Sequence, residues 1–242
     1  MRFHYLIRRT HRWLGVTIGL QLLAWTLGGL YFAWSNMDEV HGDYEKAAPA
    51  LLSTTVPFVP PTALLDSLRQ REGVNGLTEL RLVSVLDKAH WQITYPQNGQ
   101  KKVCLADATT GTLRPPLSES EAADVARMGY AGAGKIVSTR YLTEVGPHHE
   151  YRESPLPAYA FAFDDDRHTT VYVATALGTA QKFRNRPWRR FDFLWMLHTM
   201  DFQGRDHIGN WLLRAFSVFG LVTVCSGFAL FWVSKKKKLA TN

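Results

Sequence analysis

Hydrophobic and polar positions fall into three blocks along the chain. From Trp13 to Trp34 the segment WLGVTIGLQLLAWTLGGLYFAW carries no charged side chain. At 1.5 Å rise per residue, a helix over 13–34 spans a hydrocarbon core of roughly 30 Å. A second apolar block, 208–233, ends in an uncharged run from Ala215 to Val233 and predicts another transmembrane helix. Between the two the period shortens to the alternation of strands, interrupted by two amphipathic stretches.

Residues 35–59 contain prolines and show no clear period, so they read as a linker. Pro60 and Pro61 introduce a helix, TALLDSLRQREG, closed by glycine. The segments LTELRLVSVL, HWQITYP and KKVCLADA read as strands, with turns at PQNGQ and ATTG. LSESEAADVARM predicts a second helix, with Ser118 and Glu121 placed for a capping box. TRYLTEV, AYAFAF and HTTVYVATA follow as strands, and LGTAQ as a turn. WQITYPQNGQKKVCLADA overlays YAFAFDDDRHTTVYVATA without a gap at an offset of 68 residues. The region 60–183 is therefore expected to hold two helix-plus-antiparallel-sheet repeats, at about 60–113 and 116–183. Each helix can cover the apolar face of its own sheet.

The fold class that follows is an α+β membrane protein, with two transmembrane helices flanking an exported domain of two repeats. Residues 184–207 form an amphipathic interfacial helix and connection. There Phe191, Leu194, Trp195 and His198 share one helical face, and Trp188 and Trp195 with Arg186, Arg189 and Arg190 suit a membrane–water boundary.

Charge fixes the expected topology. The formal net charge is +7, yet Arg2, Arg8, Arg9 and Arg12 precede the first span and Lys235, Lys236, Lys237 and Lys238 follow the second. The 28 basic residues without those eight number 20, against 21 acidic ones, so the rest is near neutral and no nucleic-acid partner is expected. Basic flanks stay cytoplasmic, which places residues 1–12 and the tail 234–242 inside and the middle outside. The first apolar run exceeds a typical signal-peptide core, so it reads as a retained anchor. Cys104 and Cys225 fall on different sides of the membrane interface and form no disulfide.

His11, Gly15 and Gly19 recur every four residues and share a face of the first helix. The pattern G-x-x-x-G lets a helix or a flat ligand approach closely. His11 itself reads either as an interfacial residue or as a metal or haem ligand. Arg214, one turn inside the outer edge of the second span, can snorkel or meet an anionic group. No G-x-S-x-G, H-E-x-x-H or strand-linked G-x-G-x-x-G occurs, which argues against hydrolase chemistry and a dinucleotide site. Ser226 and Gly227, inside the second span, read as buried in lipid.

RRTHRWLGVTIGL, HWQITY with LADATTGTL, and RPWRRFDFLWMLHTMDFQGRDHIGNWLLR with SGFALFW together resemble the PepSY-associated transmembrane proteins. The resemblance covers nearly the whole chain, and it implies a PepSY-like exported domain in the periplasm of a bacterium. Bacterial members act as inner-membrane reductases of ferric iron or ferric siderophores, and four-span members resemble reductases carrying haem between their helices. This chain has only two expected spans and is most similar to the two-span members that promote ferrous iron supply.

The resemblance implies b-type haem near the membrane, with His11, His198, His41 and His207 as candidate ligands and Gly15, Gly19 and Arg214 in support. His11 starts the first span and His198 precedes the second, roughly 25–30 Å apart across the bilayer. An iron–nitrogen bond is about 2 Å, so the two histidines of one chain cannot share an iron. A homodimer with one or two haems completes the set. Electrons would come from a quinol or a cytoplasmic donor and pass to periplasmic ferric iron or a ferric chelate, with a ferrous iron importer as a further partner. His90, His148, His149 and His168 read as surface residues of the exported domain, with His148, His149 and Glu150 as a weak iron site. The rival reading is a non-redox, membrane-anchored PepSY binding or chaperone module, or an iron-collecting accessory protein.

Overall fold

The computed structural model of the chain describes residues 2–53 and 55–239. Met1, Thr54 and residues 240–242, from the expected N-terminus, linker and tail, lie outside the described residues. The chain divides into two units, Met1–Asn36 with Arg189–Asn242, and Met37–Trp188. The helices among the described residues are α1 (Arg2–Trp34), α2 (Met37–His41), α3 (Pro61–Glu72), α4 (Glu119–Gly129), α5 (Arg186–Thr199) and α6 (Trp211–Leu239). The strands are β1 (Glu79–Val85), β2 (Lys88–Gln97), β3 (Gln100–Asp107), β4 (Leu113–Arg114), β5 (Ile136–Leu142), β6 (Ala158–Phe163), β7 (Thr170–Ala174) and β8 (Thr179–Arg184).

In the first unit, Arg8–Trp34 of α1 and Trp211–Trp232 of α6 are long and apolar enough to cross a bilayer. They pack antiparallel, because His11 meets Ser226 at one end while Ile18 and Leu22 approach Gly220 further along. His11, Ile18, Trp25 and Phe32 recur every seven residues on α1, with Leu14, Gln21 and Gly28 between them, and all are half-buried or buried. Leu213, Phe216, Gly220, Thr223, Gly227 and Leu230 repeat the spacing on α6. A period of 3.5 residues is the seam of a left-handed helix pair. The four-residue stripe expected to bring a partner close is not this seam. A Cβ added at Gly15 or Gly19 meets nothing within 4 Å, so α6 leaves that part of α1 open.

The second unit is built from two four-stranded antiparallel sheets, ordered β1-β2-β3-β4 and β5-β6-β7-β8. On the first, Ile93, Tyr95 and Ala106 share a face and pack under Leu64 and Leu68 of α3. On the second, Phe161, Phe163, Val171 and Val173 face Ala122, Val125 and Ala126 of α4 in a core that also takes in Val85 and Leu105 of the first sheet. The first repeat therefore keeps a cluster of its own under α3 and lends Val85 and Leu105 to the core of the second. Gly178, in the β7–β8 turn, makes that approach possible. Its φ is +68°, and a Cβ there would stand 2.8 Å from Leu105 and 2.9 Å from Val85.

Three local expectations change. The linker is not free of structure. It holds α2 and a 3-10 turn at Asp43–Glu45, and Lys46 bridges Tyr130. Two short edge strands, β4 and β8, are present where turns and connections were expected. The repeat also departs from the gapless overlay. Trp91 pairs with Ala106, but the equivalent Tyr159 pairs with Val173 rather than Ala174. The turns account for the shift. β2 and β3 join through Asn98 and Gly99, both at positive φ, as a two-residue hairpin turn requires. β6 and β7 join through a longer loop closed by Asp165, which accepts the Thr169 N–H and hydroxyl.

Candidate functional site

Of the nominated residues, His11, His198, His207, Gly15, Gly19 and Arg214 belong to the helical unit, while His41 belongs to the other. His41 is the exposed last residue of α2.

His11 lies on the α1 seam and points at α6. Its Nδ1 is 2.7 Å from Ser226 Oγ, and Ser226 Oγ in turn donates to the Thr223 carbonyl at 2.7 Å. A Cβ at Gly227 would stand 3.4 Å from His11 Cε1, so the glycine gives the imidazole its seat. Ser226 and Gly227 therefore face a histidine, not lipid. The heptad spacing from Gly220 to Gly227 was the sequence signal that marked this side of α6.

His198 lies at the other end of α1. The segment TMDF ends α5, and the apolar face of that helix turns toward α1. Phe32 meets Phe191, Trp195 and His198 at ring-centroid distances of 4.8, 5.8 and 5.5 Å. Trp195 stacks along His198 at 6.3 Å, and Trp25 Nε1 donates to the His198 carbonyl at 2.9 Å. A Cβ at Gly28 would stand 3.6 Å from His198 Nδ1. That nitrogen is buried and has no hydrogen-bond partner among the described residues. From His11 to Gly28 is 17 residues of continuous helix, or about 25 Å. The structure thus keeps His11 and His198 apart, at opposite ends of one helix pair.

The connection from α5 to α6 is built from polar residues that the sequence did not single out. Asp201, with 6% of its surface exposed, accepts the backbone N–H groups of Gln203, Gly204 and His207. Burial opposes its ionisation, but those three donors and the nearby His207 hold the carboxyl below its ordinary value. Arg205 pairs with the buried Asp192 of α5. Asn210 caps α6 by accepting the Leu213 N–H at 2.8 Å and donates to the Thr199 carbonyl at 2.8 Å. Asn210 thereby ties the end of α5, one residue past His198, to the start of α6. His207 itself is exposed and folds over Gly204. Arg214 is exposed on the first turn of α6, beside Gly209.

In the second unit, Asn185 is fully buried. Its side chain accepts the Trp188 N–H and donates to the Glu39 carbonyl and the Glu45 carboxylate, which also takes Arg167 at 3.1 Å. His90 is not a surface residue. It is 4% exposed on β2, with Nδ1 donating to the Lys88 carbonyl at 3.0 Å. His149 Nδ1 accepts the Tyr151 N–H at 3.0 Å, which removes one of the two nitrogens from any iron site there. Among the described residues no group of three or more His, Cys, Asp or Glu side chains is arranged to hold a bare metal ion.

Two apolar helices of membrane-crossing length, bracketing a domain of two antiparallel sheets with helices, define an α+β membrane protein. The family model described as the PepSY-associated TM region matches residues 8–242, and the chain belongs to that family. No curated protein and no solved structure matches it.

Proposed function

We propose that the protein is a haem-dependent reductase of the bacterial inner membrane, working as a homodimer. It takes electrons from a quinol or a cytoplasmic donor and passes them to periplasmic ferric iron or a ferric chelate, supplying ferrous iron. The observation that carries this reading is the unpartnered, buried Nδ1 of His198. A buried polar atom without a partner costs about 1–3 kcal/mol, and a ligand that engages the imidazole is a reason for the chain to bear that cost.

The residues present fit a b-type haem. His11 and His198 offer imidazole nitrogens, and Trp25, Phe32 and Trp195 give His198 flat apolar surroundings. One or two haems per dimer would be held by these histidines, with His207 as a further ligand, and would supply one-electron chemistry. The chain's own task is to orient the two imidazoles near opposite faces of the membrane and to keep water from them. The aromatic side chains around His198 exclude solvent, and Asn210 holds the end of its helix. Basic residues at both chain ends support cytoplasmic termini and a periplasmic domain.

The visible spectrum of the detergent-purified protein tests the reading. A Soret band, with split α and β bands on dithionite reduction, is expected. A colourless protein, even after haem supplementation, sinks the proposal. Ferrozine trapping of Fe(II) by cells expressing His198→Ala should fall at least several-fold below the parent. A second reading, a non-redox binding module, is favoured by an open groove of about 510 Å³. Leu82, Leu86, Val125, Met128 and Ala180 line it. Under that reading the protein stays colourless and His198→Ala leaves Fe(II) release unchanged.

A further inference from the structure

A hydroxyl has one proton, and the position of that proton at Ser226 decides the chemistry of His11. Ser226 Oγ lies 2.7 Å from the Thr223 carbonyl oxygen and 2.7 Å from His11 Nδ1. A carbonyl only accepts, so the short contact to Thr223 requires the serine proton. Ser226 Oγ then has only lone pairs to offer His11, and His11 Nδ1 must be the donor. The alternative places the serine proton on the histidine side and leaves two bare oxygens 2.7 Å apart in a part-buried helix seam. In a low-dielectric setting that repulsion decides against it.

We propose that Ser226 is a positioning residue that fixes the tautomer of His11, holding the imidazole proton on Nδ1 and leaving the Nε2 lone pair free to ligate. The chain of donors runs from His11 Nδ1–H to Ser226 Oγ–H to the Thr223 carbonyl. Gly227 completes the seat, because the ring rests on backbone where a side chain would otherwise stand. His198 has no counterpart, since its Nδ1 lacks an acceptor. The two histidines are therefore prepared differently, with a hydrogen bond to fix the tautomer at His11 and ring packing around His198. The identity of the ligand, haem, rests on the proposed function. The tautomer is a property of the chain alone.

The full chain is purified in detergent with 15N-labelled histidine, at a pH where imidazoles are neutral. His11 signals are identified by their loss in His11→Gln. The wild type should show a protonated Nδ1 and an unprotonated Nε2. Ser226→Thr, which keeps the hydroxyl, should retain this form, and Ser226→Ala should shift His11 toward the Nε2–H form. A wild-type His11 protonated on Nε2, or a Ser226→Ala spectrum identical to wild type, overturns the proposal. If Ser226→Ala fails to fold, the wild-type and Ser226→Thr spectra still decide it. Haem is then titrated into the same samples. Ser226→Ala should bind about 10-fold more weakly than wild type or Ser226→Thr, the usual effect of losing a partner that orients a ligating histidine. Equal affinity in all three overturns the orienting role. If no sample binds haem, the functional reading fails while the tautomer result stands on its own.

Discussion

Ser226 and Asp107 show how one polar side chain fixes its surroundings, one between helices and one in a turn. Asp107 Oδ1 accepts the Thr109 hydroxyl at 2.6 Å and the Thr109 and Thr110 N–H groups at 2.8 and 2.9 Å. The Thr109 hydroxyl is the largest influence, and with the backbone donors it outweighs burial and holds the carboxyl at about 2, against an ordinary 3.8. A depressed carboxylate value stabilises the fold fully above the unfolded value, and that stability is lost as pH falls through the folded one. Thermal melts should therefore show wild type losing stability between about pH 4 and pH 2. Asp107→Asn should be less stable at neutral pH and flatter across that window. Parallel pH curves for the two proteins would remove Asp107 from the turn's energetics. The ATTG turn was legible, since Asp107 heads a segment of turn-forming residues. The partnership of His11 with Ser226 was not, because 215 residues separate them and the glycine spacing marks a face of α6 without saying which residue of α1 meets it.

At the scale of elements, periodicity located most helices and strands, and local chemistry fixed several ends. The Ser118 and Glu121 capping box forms as the sequence indicated, and Ser118→Ala should cost about 1 kcal/mol, read by denaturant unfolding followed by circular dichroism. Gly178→Ala should cost more, because it forces a side chain to a φ of +68° and drives it into Leu105 and Val85. An unchanged denaturation midpoint for Gly178→Ala would mean that the two repeats do not depend on that approach. The turn at Gly178 was legible, but its close approach to Leu105 and Val85 and the strand that follows it were not. TAQKFR alternates weakly and lies at a sheet edge, where pairing on one side suffices. The α2 segment was missed for a related reason. Five residues cannot show a helical period, and what holds its neighbourhood is the network of Glu45, Arg167 and Asn185, each far from another in sequence.

For the whole molecule, the consequential mismatch is between the glycine stripe and the helix seam. A histidine and two glycines at four-residue spacing were expected to share one contact surface. The chain places His11 on the seam with α6 and leaves open space beyond Gly15 and Gly19 among the described residues. Replacing both glycines by leucine should therefore leave the fold of a single chain intact, since the new side chains enter open space. In a homodimer that brings the α1 helices together to complete the haem set, the same change blocks close approach between backbones. Gly15→Leu with Gly19→Leu is then expected to give a chain with wild-type circular dichroism that sediments as a monomer in detergent and loses most of its bound haem. Loss of helical signal would place the glycines in the monomer fold, against the geometry. A double variant that remains dimeric with full haem content would move the dimer interface elsewhere on the helix pair. Wild-type protein that is monomeric while binding haem fully would show that one chain completes its own ligand set, and the dimer would fall from the proposed function.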